Sequence, residues 1–364
     1  MTPAAGSRNG TTPAIRERVE DLARRLPKVE LHVHLEGTLS AGRLRSIAER
    51  DGLDIDPAAY ASEPGEATWD SFLVAFMARL RALRTPDDWA TALDDLLRAQ
   101  HRQAVVWTEA FVTLTGALRG SYVLADVLRA MAEVEADWRA HRRCGARLIL
   151  DAPRELGPEV CEQLVRLVAA DGTGLLAGIG IGGHEAACPA QAFAPAFRLA
   201  SELGLRRTAH AGEHSGPESV VAAVEVLGAQ RIGHGLSAVR DPHALELLVE
   251  RGVTVDVCPT SNRATGAWSP AEGPHPARRM VEAGVRVSVG SDDPAIVGGS
   301  VSGEWAQLIL EGGFSVHECL GLTVDAVEGT CLDSPARARL RAQLLADALD
   351  LQEEASALEE ALGA

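Results

Sequence analysis

Aromatic residues are scarce in this sequence. Phe, Trp and Tyr make up 4% of its 364 residues, so Leu, Val, Ile and Ala have to build most of the core. No uninterrupted apolar run reaches the roughly 20 residues that a membrane-spanning helix needs, and residues 1–14 lack the apolar stretch of a signal peptide. We therefore expect a cytoplasmic protein without a membrane partner, whose residues 1–14 form a disordered tail.

Closely spaced cysteines and an excess of positive charge are also missing. The six cysteines are widely scattered and form no CxxC pair, which argues against a disulfide framework and against an all-cysteine zinc site. The formal net charge of −16 argues against nucleic acid as a partner, because phosphate backbones are bound by basic surfaces. A small anionic substrate is still compatible with this charge, since the local potential of a site can differ from the global sum.

Short apolar runs recur along the chain and alternate with segments long enough to form helices. Helical segments include 158–170, 189–203, 217–227, 242–250 and 276–283; each begins with Pro, and glycines 204, 228, 252 and 284 follow four of them. Such alternation predicts parallel strands, and eight of them favour a closed (β/α)8 TIM barrel of the α/β class. The predicted strands are Val29–Leu35, Ala104–Phe111, Arg147–Asp151, Leu175–Ile181, Leu205–Ala211, Arg231–Gly235, Val253–Cys258 and Val285–Gly290.

Two segments lie outside this alternation. Residues 39–103, after the first strand, have apolar residues at helical spacing and predict a helical insertion that is a candidate lid. Residues 300–364 predict additional C-terminal helices. The absence of repeats and long linkers indicates one domain over residues 15–364; the sequence leaves the oligomeric state open.

Histidines occur in pairs or near acids at the ends of three predicted strands. His32 and His34 point to the same face of the first strand, because side chains at i and i+2 do so. Alone, this short motif is as compatible with a hydrogen-bonded core histidine as with a metal ligand. His210 ends the fifth strand and His234 the sixth, at the end of the barrel where active sites are built.

Carboxylates accompany these histidines. Glu213 follows His210 by three residues, and it could equally be an acid at a helix N-terminus. Asp292 and Asp293 are adjacent at the end of the eighth strand; an Asp-Pro turn explains Asp293 but not the recurrence at strand ends. Two adjacent carboxylates are costly unless a cation or a proton offsets their charge.

Taken together, these residues predict a metal site. His32, His34, His210 and Asp292 would converge at one rim of the barrel, and imidazole with carboxylate favours zinc over iron, nickel or manganese. A remaining position would hold water, whose pKa zinc lowers to about 7.

The motifs resemble, in order, those of the adenosine/adenine deaminase family within the metal-dependent amidohydrolase superfamily. They are VELHVHLEGTLS, TAHAGEHSGPE, RIGHGL, CPTSN and SVGSDDPA, and the resemblance extends over roughly residues 26–325. It implies one zinc ion per chain, bound by His32, His34, His210 and Asp292.

The resemblance also implies roles in hydrolytic deamination. Glu213 would donate a proton to ring N1 of the purine, while His234 and Asp292 orient and deprotonate the attacking water. The backbone N–H of Gly183 would meet N3 and Asp293 would hydrogen-bond N7. The remaining substrate contacts that the resemblance implies are His34, Glu36, Trp107 and His184.

Three departures from the family pattern affect the part of the substrate outside the purine. Glu36 stands where adenosine deaminases usually have an Asp that contacts ribose, and strand two reads WTEAFVTLTG, which retains Trp107 and Glu109 in kind but lacks the usual Arg or FFDP. The fourth strand ends GIGIGGHE, where His184 replaces an acid. CPTSN is similar to the adenine deaminase and aminofutalosine deaminase branches.

We therefore predict an adenosine deaminase-like aminohydrolase that releases ammonia from a 6-aminopurine, with adenosine or a modified adenine nucleoside as substrate. Free adenine and aminofutalosine are alternatives within the same chemistry. Another metal-dependent hydrolysis in the same barrel is a second hypothesis, and a catalytically silent binding protein is a third.

Overall fold

The computed structural model describes residues 11–60, 69–142, 144–186 and 188–363. It confirms all eight predicted strands, with ends that agree within two residues. Adjacent strands pair in parallel in the order of the sequence, from the first to the eighth. The strands are β1 Lys28–His34, β2 Val105–Val112, β3 Gly145–Pro153, β4 Leu176–Gly182, β5 Arg206–Ala211, β6 Arg231–His234, β7 Thr254–Val257 and β8 Arg286–Val289.

The sheet closes where the chain beyond β8 meets the end of β1. The N–H of His34 donates to the carbonyl of Asp292 (2.8 Å), and the N–H of Asp292 donates to the carbonyl of His32 (3.1 Å). This parallel bridge between Val33 and Asp292 brings the two ends of the sheet together. The (β/α)8 barrel predicted from the sequence is therefore confirmed.

Helices alternate with the strands and surround the barrel. In chain order they are α1 Pro13–Arg25, α2 Ala41–Asp51, α3 Trp69–Ala82, α4 Pro86–Arg102, α5 Leu124–Arg142, α6 Pro158–Ala169, α7 Ala194–Glu202, α8 Pro217–Glu225, α9 Pro242–Glu250, α10 Pro259–Ala264, α11 Ala277–Glu282, α12 Pro294–Val297, α13 Val301–Leu310, α14 Val316–Ala326, α15 Ser334–Leu349 and α16 Gln352–Gly363. The predicted glycines after helices α7, α8, α9 and α11 all have positive φ, as expected for residues that end helices.

Two predicted helical segments need correction or refinement. The helix predicted to begin at Pro189 starts instead as a 3-10 turn over Ala190–Phe193, and α7 follows. Pro195 has no N–H, so a continuous α-helix through that position would lack one backbone hydrogen bond. In the insertion 39–103, α4 packs beside α5 and β2 as an ordinary barrel helix, so that α2 and α3 form the inserted part.

The predicted disordered tail is wrong at its last two residues. Helix α1 begins at Pro13, and the side chain of Thr12 caps it by accepting a hydrogen bond from the N–H of Ile15. A proline in the first turn preceded by a capping threonine is a standard start signal for a helix. Residues 1–10 of the predicted tail lie outside the described part of the chain.

The core follows from the composition. Apolar side chains between the barrel and its helices are mostly Leu, Val, Ile and Ala, and a smaller group of C-terminal residues, including Val324, Val327 and Leu344, packs against Val29 and Leu31. All six cysteines are free thiols. Among the described helices, none combines the length and the apolar character required to cross a bilayer.

Gly290 provides a test of the barrel closure. A Cβ at this position would lie 2.4 Å from the carbonyl oxygen of His32, so Gly290→Ala has to push β8 away from β1. We expect this variant to lose about 1–3 kcal/mol of unfolding free energy and to bind metal more weakly, measured by denaturant unfolding and zinc titration.

The matched control is Gly321→Ala, at an exposed position of helix α14, where a new Cβ meets no heavy atom within 4 Å. It should be neutral or more stable by up to about 1 kcal/mol, because alanine favours a helix interior. Equal stability of the two variants would contradict the close contact at Gly290.

Candidate active site

The carboxyl ends of the strands surround a cavity of about 420 Å³. His34, His210, Glu213, His234, Asp292 and Asp293 all line it, as does Gly183. The structure therefore brings together most of the residues that the sequence predicts for the site, although they come from distant parts of the chain.

Four side chains place metal-ligating atoms at the floor of this cavity. The ligand atoms of His32, His34, His210 and Asp292 all lie within 4.8 Å of one another. Asp292 Oδ1 is 3.3 Å from His32 Nε2 and 3.4 Å from His34 Nε2, and the Nε2 atoms of His34 and His210 are 3.3 Å apart. Tetrahedral zinc with ligands at about 2.1 Å requires separations of about 3.4 Å, so the geometry fits such an ion.

The electrostatics of the group also favour a positive charge. Burial lowers the pKa of His34 to about 3 and that of His210 well below its usual value, so both rings are neutral and able to ligate. Burial alone would lower the pKa of His32 as well, but Asp256 and Asp292 outweigh it and raise the value to about 10. The carboxylates thus hold a positive charge at this position, which a bound metal ion would supply.

Hydrogen bonds and ion pairs behind the ligands orient their rings. Nδ1 of His210 is 3.1 Å from the carbonyl oxygen of Ile181, and Nδ1 of His32 is 3.5 Å from Asp256 Oδ2. Metal-binding histidines usually donate their second ring N–H to a carbonyl or carboxylate in this way. Asp256 in turn pairs with Arg231 (2.9 Å from Nε to Oδ2).

The buried ion pairs continue through the barrel interior. Arg231 also pairs with Glu109 (2.5 Å), which accepts hydrogen bonds from the indole of Trp107 and the N–H of Cys331. Each charge in this series is therefore next to one of opposite sign, which offsets the cost of burial in a low-dielectric interior. The series of charges extends from Glu109 in β2, through Arg231 and Asp256, to the metal-ligand group.

Backbone strain accompanies the two strand ends that face the cavity. His234 (φ 64°) and Asp292 (φ 61°) both occupy the left-handed region, where a non-glycine residue is uncommon. Strain of this kind costs of the order of 1–3 kcal/mol and is typical of functional sites. It turns the Asp292 side chain toward the cavity while its backbone closes the barrel.

Glu213 lies in a loop that another carboxylate organises. Glu185 accepts hydrogen bonds from four consecutive N–H groups, those of residues 212–215, and from the hydroxyl of Ser219. Glu213 itself lines the cavity, with Oε2 3.6 Å from His234 Nε2. Burial raises the pKa of Glu213 to about 7, so it can carry a proton near neutral pH.

Asp293 is a second carboxyl group that favours its protonated form. It is 2% exposed, and burial together with the neighbouring charges of Asp292 and Glu36 holds its pKa well above the usual range. Its Oδ1 has no hydrogen-bond partner within the described chain. Gly183 stands across the cavity, where a Cβ would lie 2.5 Å from the carboxylate of Glu155.

The predicted substrate contact of Trp107 is wrong. Trp107 pairs with Val29 and Gly145 near the amino ends of their strands, and its ring packs in the small C-terminal cluster. The substrate cavity lies at the other end of the same barrel. The indole N–H of Trp107 instead donates a hydrogen bond to Glu109 Oε1.

Two further predicted contacts are absent from the cavity lining. Glu36 is fully buried behind the wall, where Oε1 accepts the N–H of Thr113 and burial raises its pKa to about 7. His184 is exposed, and its N–H donates to Glu155. Glu36 therefore supports the wall of the cavity from behind, and His184 lies outside it.

Several functional neighbours were not predicted from the sequence. The sequence assigns no role to Asp256, Glu185 or His275, and Asn262 enters only as the last residue of the CPTSN motif. Their position in the chain could have indicated two of them. Asp256 and Asn262 lie near the carboxyl end of β7, just as the predicted ligands lie near the carboxyl ends of their strands.

A second group of potential ligands shares a member with the first. His234, Cys258 and Asp292 also place candidate atoms close together. Burial raises the pKa of the Cys258 thiol well above its usual value, which disfavours the thiolate that a metal requires. The four-residue group is the better metal site.

The sequence profile of the adenosine deaminase family matches residues 27–347. The aminodeoxyfutalosine deaminase of Streptomyces avermitilis is 34% identical over 325 residues, which cover 88% of this chain and 90% of that protein. The adenine deaminase of a Chelativorans species is 31% identical, with 88% and 98% of the two chains covered.

Solved structures agree with this similarity. An amidohydrolase from Burkholderia ambifaria with bound zinc superposes with a TM-score of 0.85 and 28% identity, covering 99% of this chain and 98% of its own. The adenine deaminase of Arthrobacter aurescens gives a TM-score of 0.79 with 27% identity, and 88% and 98% of the chains are covered.

Asp256→Asn tests the support behind the metal ligands. Loss of the carboxylate beside His32 should lower zinc affinity about 10–100-fold, because a neutral amide orients and polarises the imidazole less well. Competition titration with a chelator measures this affinity.

The control is Asp95→Asn, which removes an exposed carboxylate paired with Arg43 and should leave zinc binding unchanged. Thermal unfolding of both variants shows whether they are folded. A folded Asp256→Asn protein with the affinity of the parent chain would refute this role.

Proposed function

Because the chain belongs to the adenosine deaminase family, and is thus an aminohydrolase, we propose that it deaminates an adenine nucleoside by hydrolysis, with one bound zinc ion. The product is the corresponding 6-oxopurine, and ammonia is released. The observation that carries this proposal is the pair of buried carboxyl groups, Glu213 and Asp293, which line the cavity beside the four-ligand group and whose raised pKa values favour the protonated form.

These groups are suited to a purine ring. N1, N3 and N7 of a 6-aminopurine are all hydrogen-bond acceptors, and each therefore needs a donor. Protonated Glu213 would serve N1, the N–H of Gly183 would serve N3, and protonated Asp293 would serve N7. An ordinary ionised carboxylate could not donate, which gives the raised pKa values a chemical purpose.

The same groups account for the reaction. A zinc ion held by His32, His34, His210 and Asp292 would supply a nucleophile near neutral pH by lowering the pKa of water. Proton transfer from Glu213 to N1 makes C6 more electrophilic, since the aromatic ring otherwise resists attack. His234 and Asp292 adjoin the position proposed for the attacking water. Asp292 would accept the proton that this water loses and pass it to the amino group, which leaves C6 as ammonia.

The cavity supports a substrate larger than a free base. Phe76 of α3 lies 6.1 Å from the His34 ring, and further apolar side chains of α3 continue the wall outward from the metal-ligand group. Leu73 and Met77 also line the cavity and are 44% and 43% exposed, so that with Phe76 they offer a contiguous apolar surface to a ligand. Arg119 stands at the rim. These features favour a nucleoside with an apolar substituent, and they keep the insertion as a candidate lid.

Free adenine is the second candidate. Adenine deaminases from several bacteria align with 84–88% of the chain at 31–34% identity. The purine-binding groups proposed above would serve the base and the nucleoside equally. The apolar wall of α3 is the feature that distinguishes the two candidates.

Other hydrolytic reactions receive less support. A binuclear amidohydrolase usually needs a bridging carboxylate or carboxylated lysine on strand four. Here β4 reads LAGIGIG, and a Cβ at Gly180 or Gly182 would clash with Asp151. This argues for one zinc ion per chain.

A substrate panel tests the proposal. Zinc-loaded protein should release ammonia from adenosine, 2′-deoxyadenosine, aminodeoxyfutalosine, AMP or adenine, with kcat/KM higher for at least one nucleoside than for adenine. Replacing Leu73 and Met77 by Ser should reduce kcat/KM for the preferred nucleoside about tenfold, equivalent to about 1.4 kcal/mol, without affecting adenine.

Glu213→Gln is the matched control for the chemistry. Its amide should leave zinc binding unchanged and abolish detectable turnover, because it cannot give a proton to N1. Inactivity of the zinc-loaded parent protein toward every 6-aminopurine would contradict the proposal, and a preference for adenine would select the second candidate.

The proton on Glu213 also predicts a pH dependence. Since the acid form is required and burial raises its pKa to about 7, kcat/KM should fall as the pH rises through that value. Zinc content measured at each pH excludes metal loss as the cause. A constant kcat/KM from about pH 6 to about pH 9 would be incompatible with Glu213 as the acid.

A further inference from the structure

We propose that Asn262 and His275 fix His234 in the tautomer that carries its proton on Nε2. His234 would then donate a hydrogen bond to the oxygen that adds to the purine, and would not take the proton of the attacking water. The mechanistic part rests on the proposed function, whereas the tautomer can be measured independently.

The argument starts from a backbone amide whose direction is fixed. The N–H of Ala277 lies 3.2 Å from His275 Nδ1, and a peptide nitrogen can only donate. Nδ1 of His275 is therefore the acceptor, and the proton of the neutral ring is on Nε2. Burial lowers the pKa of His275 to about 3, which keeps this ring neutral.

The proton on His275 Nε2 fixes the orientation of the Asn262 side-chain amide. His275 Nε2 lies 3.2 Å from Asn262 Oδ1, so the oxygen of the side chain receives the His275 proton. The other end of the amide, Nδ2, lies 2.9 Å from His234 Nδ1 and can only donate. Rotation of the amide by 180° would place two donors face to face at the first contact.

The remaining proton of His234 consequently faces the reaction. With Nδ1 accepting, a neutral His234 carries its proton on Nε2, which lies 3.6 Å from Glu213 Oε2 and 4.0 Å from Asp292 Oδ2. This position is between the proposed acid and a ligand carboxylate. A donor there stabilises negative charge on the added oxygen but has no lone pair with which to accept a proton.

Burial and packing make the relay rigid. Asn262 is fully buried, His234 is 1% exposed and His275 is 5% exposed. His275 packs edge-on against Trp268 at 5.0 Å, and the backbone of Asn262 is held at both ends, by Cys258 and Trp268. Removing a partner would therefore leave an unsatisfied polar group in the interior, which is unfavourable.

Nitrogen-15 NMR of the zinc-loaded protein tests the tautomer directly. With the His234 signals assigned by comparison with His234→Asn, Nε2 should have the shift of a protonated ring nitrogen and Nδ1 that of an unprotonated one. The reverse pattern in the parent protein would overturn the proposal, whatever the variants do.

Asn262→Asp then reverses the relay at nearly constant size. A carboxylate accepts from both neighbours, so the proton of His234 should move to Nδ1. We expect kcat to fall about 10²–10³-fold, the usual effect of losing one such donor, with little change in KM or in zinc content. A proton that stays on Nε2, or one that moves without loss of kcat, would each refute the proposal.

His275 supplies the conservative pair if Asn262→Asp does not fold. His275→Gln retains an N–H donor toward Asn262 and should preserve both the tautomer and most of kcat, whereas His275→Leu should lose both. Equal behaviour of these folded variants would contradict the relay. Failure of the parent protein to deaminate any 6-aminopurine would reject the proposed function. The NMR measurement would still decide the tautomer of His234, because it does not depend on turnover.

Discussion

The parallel bridge between Val33 and Asp292 is the contact on which the site depends. Two backbone hydrogen bonds, from His34 to Asp292 and from Asp292 to His32, close the barrel and place the Asp292 carboxylate between two imidazoles. The left-handed backbone at Asp292 allows one residue to serve both purposes. Closure of the barrel and assembly of the ligand group are therefore the same structural event, since a shift of one strand would separate the ligand atoms.

Charge compensation explains how so many ionisable groups remain inside the barrel. Glu109, Arg231, Asp256 and His32 alternate in sign from the barrel interior toward the cavity. At the cavity, burial is offset by protonation of the carboxyl groups and not by a neighbouring charge of opposite sign. Glu213 and Asp293 lie where burial favours their neutral forms, and in this state a carboxyl group can donate a hydrogen bond. One interior thus stabilises ionised acids in one layer and protonated acids in the next.

The errors of the sequence-based prediction have a common cause. Trp107 was assigned to the substrate because its strand contains a family-like motif. The strand register, however, places Trp107 near the amino end of the barrel, whereas the cavity is at the carboxyl end. Glu36 is at the correct end yet points behind the wall, where it binds the N–H of Thr113. His184 follows β4 but is exposed. In each case proximity in sequence did not determine the direction of the side chain.

The sequence alone determined the eight strands and the barrel, and it predicted the candidate metal-ligand group, because strand periodicity and the carboxyl-end rule place the three ligand segments at one rim. It also indicated Glu213 and Asp293 through their motifs. Only the tertiary structure decided which acids are neutral, since their pKa values depend on burial and on charges from distant segments. The contacts of Asp256, Glu185, Asn262 and His275 were likewise decided there, because each joins residues whose approach requires the closed barrel.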